Sequence, residues 1–202
     1  MYRYFKRFLD IVLSIIGLIL TLPINLVIAI IIKCTSEGPV IFKQERLGKG
    51  GKVFTMYKFR SMANNSEHTG SGVYSGKDDP RVTKIGKFIR KTSIDEFPQF
   101  LNILKGDMSF IGPRPVLTYH PWTYDKYTKK QLKRFEVRPG ITGWAQIHGR
   151  KTAEWNDRLK YDAYYVEHLS FVLDVKILFK TIKQVITSEG NENVGTTVKG
   201  DK

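Results

Sequence analysis

The chain has 202 residues, and its 33 Lys and Arg against 19 Asp and Glu give a net charge of +14. One cysteine, Cys34, excludes an internal disulfide, and four histidines beside it are too few to suggest a zinc site. The charge suits nucleic acid, an anionic membrane surface or phosphorylated substrates; no helix-turn-helix, zinc-finger or RNA-binding signature is present, and a membrane segment favours the last two.

Ile11 to Ile32 is an uncharged apolar run with Pro23 at its middle. At the helical rise it is about 33 Å long, enough to cross a bilayer core. Arg3, Lys6 and Arg7 precede it, and Lys33, Lys43, Arg46, Lys49 and Lys52 follow it. Basic flanks prefer the cytoplasmic side, so a straight span pushes one flank outward. A helix that enters, bends at Pro23 and returns keeps both on one side. Pro23 has no N–H, so the Ile19 carbonyl loses its helical donor and the ring crowds that turn. Ser14, Thr21 and Asn25, with Gly17 at their edge, share one helical face and can satisfy polar groups inside the bend. The expectation is a re-entrant membrane hairpin over residues 1–36; the alternative is an ordinary kinked single span. Lys33-Cys34-Thr35 is a poor cleavage site, which argues against a signal peptide.

Residues 37–202 have the length of one further domain. Pro39 to Arg46 and Lys52 to Phe59 read as two strands joined by the turn Gly48-Lys49-Gly50-Gly51. That turn lacks the spacing and the Lys-Ser/Thr ending of a phosphate loop. Ser61 to Pro80 is rich in Gly, Ser and Asn and is expected to form a mobile lid. Arg81 to Lys91 is basic, with Val82, Ile85, Phe88 and Ile89 at helical spacing. Next comes a helix start, with Ser93 as N-cap and Glu96 three residues on, a capping box; Gly106 is its stop. The prolines of "FIGPRP" make that stretch an extended turn. Pro121 to Phe135 reads as helix, "VRPGITGWAQIHGR" as a Gly-punctuated loop, and Glu154 to Leu169 as an amphipathic helix. In Leu173 to Ile186, Leu178, Ile182, Val185 and Ile186 line one face and Lys176, Lys180 and Lys183 another. Such a helix either lies on a membrane surface or packs on a core with a solvated lysine face. The tail from residue 190 is polar and expected to be loose. The fold class is α+β, mainly α.

Asp95 and Glu96 are adjacent acids at the start of the third predicted helix. Its N-terminus should keep a carboxylate ionised and attract phosphate. An ionised Asp can attack a phosphoryl group. Arg90, Arg114, Arg138 and Arg150 are candidates to clamp phosphate oxygens, and magnesium held by Asp95 and a diphosphate would neutralise further charge. The plainer reading of Glu96 is a capping residue, and of Arg138 an ordinary turn-facing arginine.

"YKFRSM", "RKTSIDEFPQFLNILKGDMSFIGPRP" and "VRPGITGWAQIHGR" together resemble the small monotopic phosphoglycosyl transferases of the bacterial sugar transferase family, from Lys6 to about Glu189. The resemblance implies transfer of a sugar-1-phosphate from a UDP-sugar to undecaprenyl phosphate, with release of UMP, at the cytoplasmic face of the bacterial inner membrane and without nucleic acid. It implies Asp95 as nucleophile in a ping-pong reaction through a covalent phosphosugar. Glu96 then assists with protons or the metal site, Arg90 and Arg114 handle phosphate, Arg150 reaches the nucleotide, and Mg2+ is the cofactor. Pro23 matches the family's kink proline. Leu22 stands where the family often has Ser, and Thr21 is the nearest replacement hydroxyl; Phe97 stands where Leu is common. A membrane-anchored basic binding protein explains the charge and anchor but not an acid pair between arginines. Direct attack by the lipid phosphate is a second alternative.

Overall fold

The computed structural model describes residues 1–64, 66, 79–148 and 154–187. Most of the lid expected over 61–80, Arg150 and the tail from 190 lie outside the described residues. The fold is mainly helical with a small sheet and one long apolar N-terminal helix.

That helix, α1 (Tyr2–Thr35), runs through Pro23 as one element, long and apolar enough to cross a membrane. Thr21 and Asn25 meet on one helical face beside Pro23, and the carbonyl that Thr21 reaches is that of Gly17 rather than Ile19. The Thr21 hydroxyl donates to the Gly17 carbonyl at 2.7 Å and accepts from Asn25 Nδ2 at 3.1 Å. One stripe of α1 faces the rest of the protein. Tyr2 and Lys6 both donate to Asp174, at 2.5 and 2.7 Å. Asp10 accepts from the Ser109 hydroxyl and the Phe110 N–H, at 3.0 and 3.1 Å. Ser14, Ile28 and Ile32 are buried further along. These positions repeat near the helical period, so they share one face. Away from that stripe, Phe8, Leu13, Ile19, Leu20, Leu22, Val27 and Ile30 are exposed.

The expected hairpin forms from β1 (Ile41–Leu47) and β2 (Val53–Phe59). α2 (Lys84–Lys91) starts later than the periodicity predicted: Val82 bridges to Met62, and the Thr83 hydroxyl caps the helix by accepting from Gly86 N. α3 (Gln99–Lys105) stops at Gly106, which takes the left-handed φ of 94° favoured at that position.

Three strands were not legible. β3 (Ser109–Ile111) and β5 (Gly140–Thr142) pair in parallel, and β4 (Val116–Leu117) adds to β1 in the order β2-β1-β4. They are short and carry no alternating pattern long enough to register. Their pairing brings "FIGPRP" against "VRPGITG". A Cβ on Gly140 would lie 2.1 Å from Gly112 N, and one on Gly112 2.4 Å from the Arg138 carbonyl. Only glycine permits that approach. The predicted helix over Pro121 to Phe135 is broken into the 3-10 turn Tyr124–Lys126, α4 (Lys129–Leu132) and the 3-10 turn Lys133–Glu136. Thr128 and Gln131 form a capping box there and restart the helix. The loop expected after Arg138 contains α5 (Trp144–His148) behind β5. α6 (Trp155–Glu167) and α7 (Phe171–Thr187) match their predicted helices.

Candidate active site

Asp95 and Glu96 sit in a 3-10 turn, Ile94–Glu96, between α2 and α3. Ser93 enters it at φ 59° and ψ 16°, a left-handed conformation costing a non-glycine residue on the order of 1 kcal/mol. That reversal separates the turn from α2 and sends Asp95 inward, to 8% exposure. The expected capping box at Ser93 is absent: the serine makes no side-chain cap. The Glu96 carboxylate is taken instead by the Lys58 ammonium at 2.8 Å, a stronger partner than a neutral backbone N–H.

Lys58 is the residue that sequence reasoning missed. Its signal lay in "YKFRSM", where Lys58 alternates with Met56 and so shares that residue's side of β2. Met56 packs on Ile103 of α3 and on Met108. The same contact surface carries Lys58 to the turn ahead of α3. Asn102 holds the two elements in register. Fully buried on α3, it accepts from Tyr57 N at 3.0 Å and donates to the Thr55 carbonyl at 2.7 Å. β2 is an edge strand, and Asn102 thereby stands in for a neighbouring strand.

The electrostatics separate the two acids. Burial pushes the Asp95 carboxyl up to about 6; the Lys58 ammonium pulls it down, adjacent Glu96 pushes it up, and Arg90 and Arg114 pull it down. Burial also raises Glu96, but Lys58 and Arg114 outweigh that and hold it below its ordinary value. The expectation that a helix N-terminus is what keeps Asp95 ionised is therefore corrected in its cause: burial raises its proton affinity, and the carboxyl is mainly ionised at neutral pH despite that. The turn has only three residues, so its dipole is small, and desolvation dominates. Two acids driven apart in this way are suited to different roles.

Arg114 Nη1 lies 3.8 Å from Glu96 Oε1 while its side chain remains 55% exposed, so the guanidinium is open to a ligand. Lys58, Arg90 and Arg114 are thus grouped around the acid pair. Arg138 is elsewhere. Its Nε donates to the Gly106 carbonyl at 2.8 Å at the far end of α3, where Arg7 also caps the Ile103 and Leu104 carbonyls. The helix between spans about 10 Å. Among the described residues, no group of three or more His, Cys, Asp or Glu is placed to hold a metal. A magnesium ion needs less, because it takes one or two carboxylates and fills its shell with water and phosphate oxygens. The donors present fit that kind of ion.

A family model described as bacterial sugar transferase matches residues 1–188. The chain is 45% identical over 192 residues to the UDP-N-acetylgalactosamine-undecaprenyl-phosphate N-acetylgalactosaminephosphotransferase of Aeromonas hydrophila, covering 94% of this chain and 45% of that protein. It is 47% identical over 186 residues to an uncharacterized sugar transferase of Bacillus subtilis, covering 92% and 89%. It is 46% identical over 183 residues to the UDP-glucose:undecaprenyl-phosphate glucose-1-phosphate transferase of Klebsiella pneumoniae, covering 88% and 39%. The chain therefore spans less than half the length of the first and third relatives and most of the second.

Proposed function

The chain belongs to the bacterial sugar transferase family, and on that premise we propose that it transfers a sugar-1-phosphate from a UDP-sugar to undecaprenyl phosphate. The observation that carries this reading is the Asp95–Glu96 pair, Asp95 buried and Glu96 partly so, pushed in opposite directions in proton affinity and set among Lys58, Arg90 and Arg114. At neutral pH Asp95 is ionised yet shielded from water, which leaves its oxygen reactive.

In the proposed reaction, an Asp95 carboxylate oxygen attacks the β-phosphorus of the donor. The bond from that phosphorus to the bridging oxygen breaks, and UMP leaves with the electron pair. An oxygen of undecaprenyl phosphate then attacks the same phosphorus and frees the carboxylate. Glu96 keeps Lys58 at the site, and Arg90 and Arg114 neutralise phosphate oxygens. Mg2+, held by Asp95 and the substrate phosphates, would supply further charge neutralisation when bound. A non-catalytic basic anchor accounts for the charge and for α1 but gives no reason to set two adjacent acids, one of them buried, among Lys58, Arg90 and Arg114.

The membrane part of the reading is a re-entrant α1 over residues 1–36, with a catalytic portion over 37–202 on the cytoplasmic face of the inner membrane. Its support is that both ends of α1 are bonded to one body: Tyr2 and Lys6 reach Asp174, and Arg60 caps the Ser36 carbonyl at 2.8 Å. Ties at both ends to one body support a helix whose two ends lie on the same side of the bilayer as that body. α7 adds to this. The face carrying Leu178, Ile182, Val185 and Ile186 is exposed, together with Phe171, Val172 and Phe179, and the core is met by Asp174 and Ile177 instead. Lys176, Lys180 and Lys183 border that apolar face and suit anionic headgroups.

Full-length protein incubated with undecaprenyl phosphate and UDP-glucose or UDP-N-acetylgalactosamine, the donors in the relatives' names, should release UMP. With donor alone it should retain a labelled phosphosugar. UMP release without a trapped adduct would favour direct attack by the lipid phosphate, and undiminished rates after thorough chelation would remove the metal.

A further inference from the structure

The element Pro113-Arg114-Pro115 has few N–H groups of its own, yet each of its three carbonyls has a donor from a distant part of the chain. Gly140 N donates to Pro113 at 2.9 Å, Arg134 Nη2 to Arg114 at 2.8 Å, and Arg46 Nη1 to Pro115 at 3.2 Å. Arg134 Nη2 also lies 3.1 Å from Asp162 Oδ2 on α6, and both side chains are only 3% exposed. The guanidinium sits against the Phe135 and Trp155 rings, 5.6 and 5.7 Å from their centroids. Burying such a pair is expensive, and apolar residues of similar volume commonly give equal or greater stability. Stability is therefore a weak reason for the pair to be there. What it holds is the backbone of the arginine that faces Glu96.

We propose that Arg134 and Asp162 are positioning residues that act in the reaction through Arg114. The pair grips the Arg114 carbonyl, the flanking prolines stiffen the segment, and the exposed guanidinium is aimed at the space beside Glu96 rather than sampling solvent. A guanidinium fixed before substrate arrives gives up less entropy on meeting a phosphate.

The inference rests on the transferase reading, and its test separates the two. Arg134→Met/Asp162→Leu should remain folded, losing no more stability than the Arg114 carbonyl's missing donor accounts for. Its kcat/KM for UMP release should fall on the order of tenfold to a hundredfold, the scale of a misplaced catalytic contact. In an Arg114→Ala background the same double change should cost less than about twofold, because the group it positions is gone. Parent-like kcat/KM, or an equal loss in both backgrounds, overturns the proposal. Should that variant not fold, Asp162→Asn, which keeps the volume and the guanidinium, is judged in the same two backgrounds. The arginine Nε–H spectrum of 15N-labelled protein gives a readout independent of turnover, with the Arg114 resonance assigned by its loss in Arg114→Lys. That resonance should move toward the free-arginine position in the variant; an unchanged resonance overturns the proposal even if the parent releases no UMP, a result that would instead sink the transferase reading.

Discussion

Asp95 holds its proton more tightly in the folded chain than in the unfolded one, where a carboxyl titrates near 3.9. Ionised Asp95 therefore opposes folding. The opposition is absent below about pH 4, grows as pH rises toward about 6, and is complete above that, on the order of 1–3 kcal/mol. Asp95→Asn should abolish turnover while raising the melting temperature at pH 7.5, and that gain should vanish near pH 4. In the parent protein the log of the rate should fall with unit slope below about pH 6, where Asp95 becomes protonated. Glu96 has the opposite sign. Its folded value is depressed, so it contributes stability above its unfolded value that disappears as pH falls through the folded one. Lys58→Met removes the largest downward pull on Asp95 and should move the pH–rate inflection upward. It should also destabilise the fold by about 1–3 kcal/mol, less than for a fully buried pair because both partners keep some solvent contact. An inflection that stays in place would show that Asp95 is not the group whose ionisation limits the rate.

The spacing between those charges is an effect of two elements. β2 brings Lys58, the turn before α3 brings Glu96, and Asn102 ties the strand edge to the helix. Asn102→Ala should leave the Tyr57 N–H and the Thr55 carbonyl buried without a partner, at a cost of about 2–4 kcal/mol in denaturant titrations. Activity should fall further than stability alone explains, because the acid–ammonium distance loses its support. α7 presents a different case. Its sequence allowed either a core helix or a surface one, and the four apolar residues at issue face outward. Ile182→Glu with Ile186→Glu should weaken binding to anionic vesicles in flotation assays while leaving the unfolding free energy within about 1 kcal/mol of the parent's, as for surface changes. Unaltered flotation would remove α7 from the membrane contact.

For the molecule as a whole, the decisive relation is between α1 and everything that follows. A helix of this length measures about 51 Å, more than the roughly 30 Å hydrocarbon thickness. It contacts the rest of the protein from Tyr2 to Ile32 along one stripe and turns its other apolar faces outward. Tags at the two chain ends should be digested by protease only from the cytoplasmic side of sealed vesicles. Protection of one end alone would establish a simple span. In the proposed reaction this arrangement lets a polyprenol phosphate stay in the leaflet while UMP departs into water, the covalent intermediate holding the sugar phosphate between the two.

Local chemistry made much of this readable beforehand. Apolar length gave α1, alternation and a glycine turn gave the first hairpin, helical periodicity gave α2, α6 and α7, and three motif strings gave the family and the Asp95–Glu96 pair. Each of these depends on residues close together in the chain. The capping box at Ser93 looked equally readable and did not form, because Lys58, distant in sequence, offered Glu96 a stronger partner. Lys58, Asn102 and the grip of Arg134 on Arg114 likewise depend on strand register and helix packing, which set distances no spacing rule contains. The sequence by itself determined which acids and arginines are available. Only the tertiary structure decided which cations meet them, and by burying Asp95 it decided the proton affinity as well, since desolvation is a property of the surroundings and not of the residue.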